Sequence, residues 1–337
     1  MKLFNKDSKN EVIVIAEIGV NHMGSLNWIL NMLPKVKSAG ADAIKFQLFT
    51  PDLYASKSNI ERYQQISKLT LSKSDFLKIK KEGDDIGLPV FATPVSHDWV
   101  SFIADTCGVL KIASGDFTFM PTVEAALRTS AKVLISTGGT TRDEIKAFVD
   151  LAKSLRSGSK YIETIAMLHC ISSYPAPETE SNLSAIADLT SLTGLTIGFS
   201  SHFMRDSPLY AAVALGARIF EIHVTDDRSR KDIRDHALSR TPIELQEIVN
   251  TLAALNVSLF SGEKKIQLSE EMNINTMRKG LVYKSDLPIG HELTFSDFDY
   301  ARPFNPEFPT VASLEGKKLK RAVKSGYSVI KDDFLAT

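Results

Sequence analysis

A (β/α)₈ barrel of the TIM type followed by a small β-rich module is the α/β architecture this sequence predicts, and three observations predict it. Eight short apolar runs, each ending in a small or polar residue, recur between Val12 and Val224. A helix-like stretch follows each run, which is the pattern of parallel strands buried on both faces. At 337 residues the chain exceeds the roughly 250 that such a barrel needs, and the excess is the size of one small domain.

In order the runs are VIVIAEIG (12–19), AIKFQ (43–47), PVFATP (89–94), VLKIAS (109–114), VLISTG (133–138), IAMLHC (165–170), TIGFSSH (196–202) and IFEIHV (219–224). TRDE at Thr141 and TPIE at Thr241 both fit the capping box that opens a helix, the second with Pro242 at the first helical position. Gly40, Gly87, Gly108, Gly158 and Gly194 follow helical patterns, where a left-handed C-terminal cap favours glycine. The connection from Leu48 to Leu71 is longer than usual for such units and is expected to cover a site. Residues 1–260 are therefore read as the barrel, the polar and aperiodic stretch 261–280 as a linker, and 281–337 as the β-rich module.

Lysine plus arginine (40) balances aspartate plus glutamate (40), so no global field recruits nucleic acid or an anionic membrane, and a small molecule is the expected partner. The opening segment MKLFNKDSKNEVIV is too charged for a signal peptide, and no run approaches the roughly 20 apolar residues of a membrane span, so a cytoplasmic protein is expected. Cys107 and Cys170 stand in apolar contexts without metal or disulfide spacing and read as buried thiols.

In a barrel the reactive groups sit at the C-terminal ends of the strands and in the loops that follow. Here those ends carry Glu17, Lys45, Thr93, Lys111, Ser114, Ser136, His169, Ser200, His202, Glu221 and His223. His202 and His223 end neighbouring strands, so both imidazoles can meet one divalent cation; the alternative is a hydrogen-bonded pair without metal. Lys45 and Lys111 lie inside apolar strands, where an unpaired ammonium is costly. A substrate phosphate and carboxylate are the expected counterions, with Thr93, Ser114, Ser136 and Ser200 as neutral donors. A Schiff-base role explains one of the lysines equally well. Glu17 reads either as an acid or base, or as the partner of a lysine.

At these motifs the chain resembles the sialic acid synthase family, the phosphoenolpyruvate-condensing nonulosonate synthases. AEIGVNHMGS, AGADAIKFQ, KIASGD, ISTGG, LHCISSYPAP, IGFSSH, ALGARIFEIHV and YARPFN occur in the family's order over nearly the whole length, and the C-terminal module looks like its antifreeze-like (SAF) domain. The resemblance implies a transferase that condenses phosphoenolpyruvate with the open-chain aldehyde of an N-acyl amino sugar and water, releasing phosphate. Carried over by motif, His202 and His223 bind the divalent cation, manganese first, with magnesium or cobalt as alternatives. Lys45, Thr93, Lys111, Ser114, Ser136, Ser172 and Ser200 then hold phosphoenolpyruvate. Glu17 is assigned proton transfer and Glu221 positioning. Asp116, Tyr174, Asp235 and Arg302 face the acceptor, Arg302 from the partner subunit of a domain-swapped homodimer.

Several matched positions depart from the family pattern. Asp116 stands for its glutamate, Ser201 for the aspartate of its SDH motif and Ser172 for an asparagine, and the loop DDRSRKDIRDHALS replaces one rich in proline and glycine. These departures point to an acceptor other than plain N-acetylmannosamine, such as the diacetamido-trideoxyhexose precursors of legionaminic and pseudaminic acids. A divergent inactive homologue and a Schiff-base aldolase of the same fold are the rival readings. Asn21 and His22 read equally as site residues or as groups satisfying backbone.

Overall fold

A computed structural model of the chain describes residues 1–259 and 262–334. It divides into two compact units, Met1–Phe260 and Ser261–Thr337.

The first unit is a closed barrel of eight parallel strands: β1 (Ile13–Gly19), β2 (Ala43–Leu48), β3 (Val90–Pro94), β4 (Val109–Ile112), β5 (Lys132–Ser136), β6 (Ile165–Cys170), β7 (Thr196–Ser201) and β8 (Ile219–His223). Each strand neighbours the next in sequence, and β8 pairs with β1 to close the ring, placing His223 opposite Glu17. Eight helices return the chain: α1 (Leu26–Ser38), α2 (Lys73–Asp85), α3 (Val100–Cys107), α4 (Met120–Arg128), α5 (Arg142–Leu155), α6 (Ala185–Thr193), α7 (Ser207–Ala214) and α8 (Pro242–Ser258). The capping boxes at Thr141 and Thr241 both form and open α5 and α8. Helix α5 then buries Ile145, Phe148, Val149 and Ala152, the spacing that puts one stripe against the sheet. Gly108 and Gly194 end α3 and α6 in the left-handed conformation. Gly158 does not cap α5, whose C-cap is Arg156; it starts the short helix Ser159–Thr164 instead.

The apolar runs conceal a period of two. Ile13, Ile15, Ala43, Phe91, Val109, Leu134, Ala166, Leu168 and Ile219 point into the barrel and form one cluster. Alternate residues such as Val14, Ile44, Phe46, Ile112, Met167, Phe199 and Phe220 face outward and join the core under the helices. The N-terminal hairpin, Lys2–Leu3 paired with Lys6–Asp7, adds Met1 and Leu3 to the interior cluster. Inward positions are thus mostly apolar along the first part of the strands and turn polar at the C-terminal ends; β7 differs, with Thr196 inward at its start and its hydroxyl 3.3 Å from Ser8 Oγ.

The long connection after β2 contains the helical turns Pro51–Tyr54 and Ile60–Ser67. Phe49, Ile66 and Leu69 within it pack on Ile233 of the loop after β8, so the two connections brace each other. Among the described residues no helix is long and apolar enough to cross a membrane.

The second unit has its own small core of Leu281, Tyr283, Leu287, Leu293, Phe298, Val311, Leu314, Leu319, Val323, Val329 and Phe334. Its regular sheet is β9 (Gly280–Tyr283) antiparallel to β10 (Phe298–Ala301), and isolated bridges such as Leu287 with Val323 continue the pairing. Tyr283 donates from its hydroxyl to Asp333 at 2.9 Å, and Arg321 pairs with the same carboxylate at 2.7 Å. The stretch read from sequence as a linker holds an exposed helix, Leu268–Met277. It has almost no apolar face, which is why no helical period is visible in its sequence.

Candidate active site at the barrel mouth

The C-terminal ends of the strands gather a buried ion cluster. Glu17 on β1 and Lys45 on β2 form an ion pair, and Lys45 Nζ also donates to Thr93 Oγ1 on β3 at 2.9 Å. Glu221 Oε2 on β8 lies 3.8 Å from Lys45 Nζ and 3.5 Å from Lys111 Nζ on β4. Glu221 Oε1 accepts from Ser200 Oγ on β7 at 3.1 Å, and Lys111 Nζ donates to Ser136 Oγ on β5 at 2.6 Å. Glu17, Lys45, Lys111 and Glu221 are 1 %, 2 %, 2 % and 4 % exposed. The lysines therefore have counterions from the chain itself, in addition to the substrate anions expected from sequence. Glu17 is thus the partner of a lysine, a position compatible with its other expected reading as an acid or base.

Charge and burial compete differently at the two lysines. Burial opposes the Lys45 ammonium, but Glu17 and Glu221 outweigh it and hold the pKa above the ordinary lysine value. Lys111 has Glu221 as its nearest carboxylate, so burial prevails and its pKa is depressed. Burial alone raises the carboxyl pKa of Glu221, and the two ammoniums more than offset it. Lys111 is the less firmly charged of the pair.

His202 and His223 stand beside this cluster with ring centroids 5.3 Å apart. His202 Nδ1 is 2.8 Å from the carbonyl oxygen of Ile171, so that nitrogen carries the proton and Nε2 keeps its lone pair. His223 Nδ1 is buried and has no hydrogen-bond partner among the described residues; Asp235 Oδ2 is 3.8 Å away. Burial lowers the pKa of both imidazoles, which favours the neutral form a metal needs. Among the described residues no three His, Cys, Asp or Glu side chains converge as a ligand cluster, so the chain offers two nitrogens and leaves other positions open. An unpartnered buried nitrogen beside a second imidazole fits a divalent cation.

Tyr174 stacks on His202 at 4.0 Å between centroids and stands edge-on to His223 at 6.2 Å. Asp235 begins the helical turn Asp235–Leu238, which is anchored by His236 Nδ1 against Thr225 Oγ1 at 2.7 Å. Asn21 Nδ2 donates to Val224 O and Ser239 Oγ, each at 3.0 Å, and His22 Nδ1 accepts from the backbone N–H of Gly24 at 2.9 Å, while Asn21 Oδ1 and His22 Nε2 are buried without a hydrogen-bond partner among the described residues.

Ser114 and Ser172 meet around Gly138. Ser114 Oγ accepts from the Gly138 N–H at 3.0 Å, and a methyl group at Gly138 would overlap Ser172 Oγ and come within 2.9 Å of Ser114 Oγ. Gly138→Ala is therefore expected to cost about 1–3 kcal/mol in a urea titration, with a matching rise in KM for a ligand held by these hydroxyls. An unaltered midpoint and KM would show that the loop yields freely.

Asp116 lies on the turn Ser114–Asp116, half-buried, and burial pushes its carboxyl pKa up to about 6. Arg302 lies in the second unit, exposed, with Nε donating to Met277 O at 2.6 Å. His169, counted among the strand ends, sits at an outward position of β6; its Nε2 is 2.8 Å from Ser181 O and its ring lies against Phe199. Two inward residues were not singled out from sequence. Gln47 Nε2 donates to Glu17 Oε1 at 3.3 Å, and Cys170 Sγ lies 3.6 Å from His202 Nδ1. Both follow an inward residue of the same strand by two, so the alternation would have found them. Burial raises the Cys170 thiol to about 11 and keeps it un-ionised.

The sequence pattern of the NeuB family matches residues 32–264. The chain is 33 % identical to an uncharacterised protein of Methanocaldococcus jannaschii, over 96 % of this chain and 94 % of that protein. It is 28 % identical to the N,N'-diacetyllegionaminic acid synthase of Legionella pneumophila, over 96 % and 95 % of the respective chains. Among solved structures, the N-acetylneuraminic acid (sialic acid) synthetase of Leptospira borgpetersenii aligns with a TM-score of 0.75 at 33 % identity, covering 81 % of this chain and 94 % of that one. The chain therefore belongs to the NeuB family and is an enzyme.

Proposed function

We propose that this enzyme condenses phosphoenolpyruvate with the open-chain aldehyde of an N-acyl amino sugar and water, releasing phosphate and forming a sialic-type 2-keto acid. The observation that carries the reading is the pairing, in one barrel mouth, of two buried lysines ringed by hydroxyls with two neutral imidazoles beside them. The first set suits the phosphate and carboxylate of phosphoenolpyruvate, and the second suits an aldehyde oxygen.

In this reading Lys45, Thr93, Lys111, Ser114, Ser136, Ser172 and Ser200 hold the donor. Their ammonium and hydroxyl donors replace water around its charges in a site closed to bulk solvent. A divalent cation held by His202 and His223, manganese with magnesium or cobalt as alternatives, supplies Lewis acidity at the aldehyde oxygen when bound. Asp235 and Tyr174 orient the acceptor beside the imidazoles, and Asp116 faces it from the turn after β4. The enol carbon forms the new bond to the aldehyde carbon, whose oxygen takes a proton and becomes a hydroxyl. Water adds to the cationic carbon left behind, gives up a proton, and the adduct expels phosphate. Glu17 moves the proton, while Glu221 holds both ammoniums in register and offsets the developing positive charge. Arg302 reaches the N-acyl group across a domain-swapped homodimer. The acceptor is N-acetylmannosamine or a diacetamido-trideoxyhexose, the latter supported by similarity to a diacetyllegionaminic acid synthase.

The test is phosphate release and product mass with phosphoenolpyruvate, manganese and a panel of N-acyl amino sugars. Glu17→Gln should lower turnover by about 10²-fold or more, the usual scale of lost proton transfer. Near-native turnover of that variant would remove Glu17 from the proton path. The depressed pKa of Lys111 also suits an imine-forming aldolase. Borohydride trapping with substrate separates the two, because the condensation forms no imine.

Asp116 gives the reaction a pH signature. Its raised pKa means that the folded protein holds this proton up to pH about 6, so folding is less favoured as pH rises from the ordinary aspartate range through 6. Acceptor contacts by the carboxylate are complete only above that value. We expect kcat/KM for the acceptor to fall as pH drops through 6, and Asp116→Asn to remove that limb from the profile.

A further inference from the structure

The loops that follow β7 and β8 are tied together by one buried side chain, that of Arg240, which is 3 % exposed. Its backbone adds a single parallel bridge beside the end of β8. The Arg240 N–H donates to His223 O at 2.7 Å, and Arg240 O accepts from the Thr225 N–H at 3.0 Å. Its guanidinium turns to the other loop. Nη2 donates to Phe203 O at 3.1 Å and to Met204 O at 3.2 Å, the two carbonyls directly after His202. Nη1 donates to Leu238 O, and Nε and Nη2 both lie 2.7 Å from Asp206 Oδ1. Asp206 is the N-cap of α7 but makes no side-chain cap bond; its carboxylate faces Arg240 instead.

A buried guanidinium is costly unless its charge is matched and its donors are used, and both conditions are met here. Its planar fork has fixed donor directions, so it holds the carbonyls it meets at set positions, which a flexible ammonium does not. Phe203 is itself buried and stacked on Phe199 of β7 at 6.0 Å between ring centroids, so the guanidinium grips a loop already seated on its own strand. The same residue therefore touches the backbone of His223 on one side and the backbone next to His202 on the other. A cation shared by two imidazoles tolerates only about 0.2 Å of error in its ligand distances.

We propose that Arg240 is a positioning residue for the metal site: it holds the strand ends that carry His202 and His223 at the separation that a shared divalent cation requires. The inference rests on the assignment of those two imidazoles as ligands made above.

The experiment measures manganese binding to the full chain without substrate, from the electron paramagnetic resonance of the free ion. It compares the native protein, His223→Ala, Arg240→Lys, and the double variant Arg240→Met with Asp206→Asn. The double variant removes both charges together, so that neither is left buried alone, and its melting temperature reports folding. Arg240→Lys retains the ion pair and carries the test if the double variant does not fold. The native protein should bind manganese and His223→Ala should not. The double variant should bind it about 10–100-fold more weakly, the scale set by groups that support metal ligands. Arg240→Lys should lose less, because one ammonium cannot serve Asp206 and three carbonyls at once. The KM for phosphoenolpyruvate at saturating manganese should stay at the native value, since the donor groups lie on other strands. Native-like manganese affinity in the folded Arg240 variants, with binding lost in His223→Ala, overturns the inference and leaves the ligand assignment standing. A parallel rise in the phosphoenolpyruvate KM overturns it too, because it marks general loosening of the mouth. Equal affinity in native protein and His223→Ala removes the ligands themselves, and the inference falls with them.

Discussion

Glu221→Gln is expected to lower the free energy of unfolding by about 3–5 kcal/mol and to abolish phosphate release, although the change removes no volume. Glu221 is the carboxylate shared by both lysines, at 3.8 Å from Lys45 and 3.5 Å from Lys111. Lys45 would keep Glu17, but Lys111 would keep only the hydroxyl of Ser136. An ammonium buried with no counterion sheds its proton or weakens the fold. A lysine whose folded pKa lies below its unfolded value withdraws stability below that folded pKa and returns it as pH rises toward the unfolded one. The deficit of the variant should therefore shrink as urea titrations move from neutral to alkaline pH. The double variant Glu221→Gln with Lys111→Met should recover part of the lost stability but none of the activity, since it removes both charges together. A single variant within about 1 kcal/mol of the native protein would mean that the cluster is hydrated and carries little energy.

Chelation should abolish turnover, and manganese should restore it. His223→Ala is expected to lower kcat/KM by about 10²–10⁴-fold, the scale of several kcal/mol of lost transition-state stabilisation. A second readout is independent of catalysis: the metal content of the purified protein and the rise in melting temperature on adding manganese should both disappear in the variant. At a metal concentration of about 100 Kd that rise corresponds to about 2.7 kcal/mol. Full turnover in chelator-treated, metal-free protein would contradict the assignment of His202 and His223 as ligands.

The barrel was legible because its signals are local. Eight apolar runs mark the strands to within one or two residues at most ends, and the capping boxes at Thr141 and Thr241 form as read. The gathering of the strand-end residues was legible too, since parallel strands deliver their last inward residues to one mouth. What could not be read was pairing across the sequence. Nothing in AIKFQ announces that Lys45 meets Glu17 and Glu221, because those contacts depend on register around a closed ring. His169 was misgrouped for a simpler reason: facing is decided by parity along β6, and its neighbours Leu168 and Cys170 hold the inward positions. The helix within 261–280 escaped notice because an exposed helix needs no apolar stripe.

The closure of β8 on β1 also sets when the protein becomes an enzyme. His223 lies opposite Glu17 across the last seam, so the two ends of the barrel sequence meet at the reacting groups. Without β8, seven strands would leave β1 and β7 with bare edges, and Lys45 and Lys111 would lack Glu221. Such an intermediate is both sticky and electrostatically unsettled. The same strand that seals the edge delivers the shared carboxylate and the second imidazole. The ion cluster and the imidazole pair are thus both completed by the closing strand, and neither is whole in a barrel that lacks β8.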